Sequence, residues 1–141
     1  MKVSAVAKED APSILAYFGR QIKKALRSGQ GDAVTPQELL ESVTEGRSQA
    51  WVAHDDEPRA VAVVAIRQFQ AGRKVFVEFL AGEGMDGWVS DMESALIECR
   101  RKSESMCVEA SCRPGLAKYL KRRGWRTKAV IMEAPNEQRR R

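Results

Sequence analysis

Apolar and polar residues alternate over 74–80, in Lys-Val-Phe-Val-Glu-Phe-Leu. This period of two predicts a strand with Phe76, Glu78 and Leu80 on one face and Val75, Val77 and Phe79 on the other. A glycine-rich turn follows, Ala81-Gly82-Glu83-Gly84-Met85-Asp86-Gly87. The period then lengthens. Trp88, Met92, Ala95, Leu96 and Cys99 fall on one side of a helix over about 88–102, with Asp86 as its cap. A strand is expected over 106–111. Arg113-Pro114-Gly115 breaks it and opens a helix over 115–123, and after Gly124-Trp125 a last strand is expected over 127–133.

The earlier half of the chain is read the same way. Weak alternation over 2–7 predicts a first strand. Glu9-Asp10-Ala11-Pro12 marks a helix start, and Ile14, Phe18, Ile22, Ala25 and Leu26 continue one apolar stripe to a stop at Ser28-Gly29-Gln30-Gly31-Asp32. Thr35-Pro36-Gln37-Glu38 carries a capping threonine, a proline at the first helical position and a glutamate able to close a capping box. That helix is expected to end near Glu45, before Gly46. A strand over 50–53 and a turn at 54–58 come next. A longer strand over 59–69 has a nearly all-apolar run at 60–66, the pattern of burial on both faces. With 74–80 these strands make an antiparallel meander.

Composition narrows the classes. The 141 residues suit one domain over 1–135 with a short basic tail at 136–141, and 43% hydrophobic content is enough for one core. No apolar run is long enough to span a bilayer, and Met1-Lys2-Val3-Ser4-Ala5 has no apolar signal core, so a cytoplasmic location and no membrane partner are expected. Cys99, Cys107 and Cys112 are odd in number and lack metal-ligand spacing, and are read as small buried hydrophobes. The single histidine, His54, stands beside Asp55-Asp56-Glu57 in what reads as a solvated turn. One histidine excludes His-dependent triads and multi-His metal sites, and no metal site is expected.

Charge is +5 and uneven. Arg113, Lys118, Lys121, Arg122, Arg123, Arg126 and Lys128 stand in one stretch without an acid between them, and Arg139-Arg140-Arg141 follow. Such a stripe suits an anionic partner, whether nucleic acid, a phosphorylated cofactor or an acidic protein face; it is also what a solvated helix face looks like. Glu78 stands among large apolar side chains. Burial there would suit a general base, while an ion pair with a neighbour such as Arg67, or an exposed sheet edge, would be purely structural.

The element order of strand, two helices, three-strand meander, glycine turn, long helix, strand, helix, strand resembles the GNAT family of acyl-CoA-dependent N-acyltransferases. The local piece Leu-Ala-Lys-Tyr-Leu-Lys-Arg-Arg-Gly-Trp, 116–125, looks like that family's late helix with its closing glycine and aromatic. The resemblance implies an α/β (α+β) fold, with a mixed, mostly antiparallel sheet of six to seven strands flanked by about four helices. It also implies that Leu80, Gly82, Gly84 and Gly87 hold the pyrophosphate of acetyl-CoA, with Glu78 as base and Tyr119 as acid. Three departures stand out. Phe79 occupies the position of a glutamine or arginine, Glu83 and Asp86 bring carboxylates to the turn, and Leu120 occupies the place of the acid tyrosine, one residue after Tyr119.

The sequence also resembles small GNAT-like proteins encoded beside the head and tail genes of tailed phages. The reading favoured on these grounds is a non-catalytic, virion-associated or assembly-related binding protein of a phage. It would work in the host cytoplasm or packaged in the particle, and contact other virion proteins or, through the basic stripe, nucleic acid. The alternative is an acyl-CoA-dependent N-acetyltransferase acting on an amine through Glu78.

Overall fold

The run Ala60–Ala65 is buried at every position, which only a strand covered on both faces allows. It lies in β3 (Pro58–Phe69), the middle of a five-stranded sheet ordered β1 (Lys2–Ala5), β2 (Gln49–His54), β3, β4 (Gly72–Gly82) and β5 (Val108–Ala110). The computed structural model describes residues 1–27 and 34–136. The helix stop expected at 28–32 and the tail at 137–141 lie outside them. β1 to β4 pair antiparallel, and β5 joins β4 in parallel. The fold class is the expected α/β one with a mixed sheet, built from five strands and five α-helices among the described residues, not six to seven strands and four helices.

One face of the sheet presents Ala50, Val52, Val61, Val63, Phe79 and Ala81 to a cluster from three helices, α1 (Ala11–Tyr17), α2 (Gly19–Arg27) and α3 (Pro36–Thr44). The single helix expected over the first stripe is thus two. The break falls at Phe18, whose backbone leaves the helical region (φ −94°, ψ 15°). Phe18 is 1% exposed. Burying a phenylalanine is worth about 1.5–3 kcal/mol, against about 1 kcal/mol for a helical hydrogen bond, so packing decides where the helix turns. Thr35 caps α3 as read: its hydroxyl accepts from the Glu38 N–H at 3.2 Å. Glu38 reaches back, but its carboxylate takes the Thr35 hydroxyl (3.3 Å).

The alternate strand positions Trp51, Ala53, Ala60 and Ala62 are buried as well. The fourth helix, α4 (Val89–Lys102), contacts β1, β4 and β5 and buries Val89, Met92 and Leu96. Ala95 and Cys99 of the expected stripe are only half-buried, as are Cys107 and Cys112. Burial still pushes the Cys99 and Cys112 thiols up, which keeps them from being reactive thiolates. His54 closes β2 and hydrogen-bonds Ser4 Oγ (2.9 Å). No described helix is long and apolar enough to cross a membrane.

The chain forms two compact units, Met1–Ser111 and Cys112–Arg141. The second holds α5 (Pro114–Arg122). Gly124, at φ +96°, ends it: the Gly124 and Trp125 N–H groups return to the Lys121 and Leu120 carbonyls, both at 3.1 Å. The strand expected over 127–133 is not formed. Val130, Ile131 and Met132 are 71%, 88% and 84% exposed. An apolar run has strand propensity, but a strand exists only when an edge pairs with it.

Candidate functional site

Each of the two ladders flanking β4 changes at Glu78. Against β3, Val63 faces Phe79 and Val64 faces Val77, so Glu78 has no opposite residue. This is a β-bulge, a device that re-aims a side chain. Against β5, pairing runs through Val75–Val108, Phe76–Glu109 and Val77–Ala110, and stops there among the described residues. Beyond it, β4 keeps a neighbour only on the β3 side.

Glu78 is set asymmetrically. Its Oε2 accepts from Arg67 Nη2 at 3.3 Å, the ion pair foreseen as the structural role. Its Oε1 is buried and has no hydrogen-bond partner. A buried acceptor left unmade costs about 1–3 kcal/mol, and more for a charged group, so such an atom calls for an explanation. The Arg67 guanidinium lies 3.9 Å over the Phe76 ring, which restricts its orientation. Phe76 and Leu80 flank Glu78 and are half-buried.

Four residues on, Gly82 lies opposite Ala60. A Cβ there would stand 2.7 Å from the Ala60 Cβ and 2.7 Å from the Arg59 carbonyl oxygen, so this glycine serves the close approach of β3 and β4. Gly84 is different. Its φ of +65° is left-handed, and a Cβ on it would meet nothing within 4 Å. A Cβ on Gly87, also read as cofactor-binding, would likewise meet nothing within 4 Å. A 3-10 turn over Met85–Gly87 leads into α4, which therefore starts after Asp86. Asp86 does not cap it: Trp88 is the N-cap residue, with no side-chain cap hydrogen bond. Trp88 is 2% exposed and its indole N–H donates to the Glu83 carbonyl at 2.9 Å, pinning the turn to the helix.

These residues fit the pyrophosphate of an acyl-CoA. A helix start with uncapped N–H groups, preceded by an open glycine turn, offers donors to an anion. Glu83 and Asp86 have exposed side chains, and Asp91 in the first turn of α4 lies 3.6 Å from the Met1 amine. Phe79, which replaces the expected polar residue, belongs to the core at 1% exposure and takes no part in the turn.

The second unit carries the other predicted residues. Tyr119 is half-buried on α5, next to buried Leu120. Lys118, Lys121, Arg122, Arg123, Arg126 and Lys128 are exposed, and Arg113 is the N-cap residue of α5. Among the described residues, no group of three or more His, Cys, Asp or Glu could hold a metal ion.

No protein-family model matches the chain, and a search of curated proteins finds no match. Solved structures do match. A mutant of the BH1408 protein from Bacillus halodurans superposes with a TM-score of 0.75 at 16% identity, over 96% of this chain and 99% of that one. A predicted acetyltransferase from Clostridium acetobutylicum, crystallised with acetyl-CoA, gives 0.69 at 13% identity, over 95% of each chain. The ribosomal-protein-alanine N-acetyltransferase of Brucella melitensis biovar Abortus gives 0.70 at 9% identity, over 96% and 99%. The fold is therefore that of the GNAT acetyltransferases. Two of these three descriptions name acetyltransferases; at 9–16% identity the likeness is one of fold.

Proposed function

We propose that the protein is an acyl-CoA-dependent N-acyltransferase acting on an amine, with Glu78 as its general base. The observation that carries this reading is the unpartnered, buried Oε1 of Glu78. It stands where β4 loses its regular pairing on both sides and six residues before the open Gly84 turn. The Gly84 turn and the first N–H groups of α4 would hold the pyrophosphate. The bound acyl-CoA supplies an activated acyl carbon. The Glu78 carboxylate, on a side chain that is 25% exposed, is the acceptor for the proton the amine must lose, and Arg67 holds one of its oxygens in place. In sum, amine and acyl-CoA give amide and free CoA. Tyr119 is assigned no step.

Calorimetric titration of acetyl-CoA tests the reading, with Gly84→Glu as control. The variant forces a side chain onto a positive φ and adds a negative charge at the turn, and should weaken binding by at least ~10-fold, a loss of about 1.4 kcal/mol. Absence of binding by the unmodified protein at millimolar ligand overturns the proposal.

A further inference from the structure

Trp88 occupies the N-cap position of α4 but caps nothing with its side chain. A serine, threonine or aspartate there would accept from the first N–H groups of the helix and compete with a ligand for them. An indole has only a donor to offer, and this one turns back across the Gly84 turn. The Trp88 side chain is buried, and its N–H donates to the Glu83 carbonyl at 2.9 Å. The turn has two further bonds, from the Gly87 N–H to the Gly84 carbonyl (2.8 Å) and from the Trp88 N–H to the Met85 carbonyl (3.2 Å). Neither of these fixes the Glu83–Gly84 peptide; the indole does.

That peptide is trans, so its carbonyl and its N–H point in opposite directions. The Glu83 carbonyl faces the buried indole. The Gly84 N–H therefore faces away from it, and among the described residues it has no acceptor. The space beside Gly84 is open, since a Cβ on it would meet nothing within 4 Å. Glycine takes either sign of φ at little cost, so a peptide next to it turns over readily unless something holds it. Turned over, this one would show a carbonyl oxygen where the N–H stood, and an anion would meet the negative end of the dipole instead of the positive end.

We infer that Trp88 is a positioning residue for the pyrophosphate of the acyl-CoA: its indole N–H holds the Glu83–Gly84 peptide so that the Gly84 N–H is presented to the anion. The inference rests on the acyltransferase reading above and names the side chain that decides which pole of the peptide the ligand meets. A buried indole also fills space, so loss of the ring and loss of the N–H must be told apart. Trp88→Phe removes the donor and part of the ring. Benzothienylalanine, introduced in place of Trp88 by stop-codon suppression, keeps the shape of the indole and carries sulfur where the N–H was. The probes are acetyl-CoA and inorganic pyrophosphate, which has the anion and nothing else of the cofactor.

Both probes are titrated into the full chain by calorimetry and by NMR, with the Gly84 amide proton as the spectroscopic signature. In the unmodified protein that proton should move downfield with either probe, as a donor to an anion does. Trp88→Phe and the benzothienyl replacement should each raise both Kd values about tenfold, the size of a charge-assisted contact, and remove most of the Gly84 shift. Circular dichroism checks that each is folded, and the isosteric replacement carries the test if Trp88→Phe is not. An unmoved Gly84 amide in the acetyl-CoA complex overturns the assignment and leaves the acyltransferase standing. So does unchanged affinity in the benzothienyl replacement, because Trp88 would then act by filling space alone. Binding of pyrophosphate without binding of acetyl-CoA, with the Gly84 shift present and lost on replacement, overturns the acyltransferase reading but upholds Trp88 as the residue that aims the turn. Failure of both probes to bind overturns the two together.

Discussion

The two halves of β4 are built from the same alternating sequence and do opposite things. From Gly72 to Val77 the strand is laddered to β3, and Val75–Val77 also to β5. It is tied across by Lys74 to Glu109 (3.2 Å), with Lys74 also over the Phe69 ring (5.1 Å). From Glu78 to Gly82 it is paired on one side only, begins with a bulge and runs into an open turn. The first half spends its polar groups on holding the sheet; the second leaves an acceptor unspent. Glu78 is placed with precision because the residues just before it are held on both sides.

The strongest way to break this contrast is Gly82→Val. The two contacts at 2.7 Å leave no room for a Cβ, so β4 must move away from β3. A loss of about 3 kcal/mol, read as a lower denaturant midpoint, is expected. If stability is unchanged, the close approach of the strands is wrong.

Glu78→Gln should separate function from stability. Loss of a general base costs ~10²–10⁴ in kcat, while the stability of a half-exposed ion pair should change by no more than ~1 kcal/mol. Retained acetyl transfer in this variant would remove Glu78 from the chemistry. The smallest effect is expected in the first half of the strand. Lys74→Met removes one partner of a partly shielded pair and should cost ~1 kcal/mol without altering the KM for acetyl-CoA. A larger change in KM than in stability would mean that the laddered half is not mere scaffold.

What could be read in advance follows from how local each signal is. The Thr35–Pro36 helix start, the apolar run of β3 and the Gly124–Trp125 helix end are written in neighbouring residues, and each is found. The break at Phe18 is not visible because the apolar spacing continues unbroken through it; only packing against the sheet selects the turning point. The bulge at Glu78 is hidden for a similar reason. Val75, Val77 and Phe79 keep perfect alternation, and the irregularity exists only in their register against Val63 and Val64. Glu78 itself was legible as an acid among apolar residues. That one of its oxygens is occupied and the other is not depends on Arg67, eleven residues away, and on a register that no local pattern encodes. The run at 127–133 shows the converse: strand-forming residues without a strand.

That run has a colloidal consequence. Ala129-Val130-Ile131-Met132 is an uncharged stretch whose last three residues are at least 71% exposed, the kind of window that drives self-association at high concentration. Lys128 and Glu133 flank it directly and Pro135 follows. These three residues act as gatekeepers, so neutralising either charge or replacing the proline will lower the protein's solubility before it changes anything else.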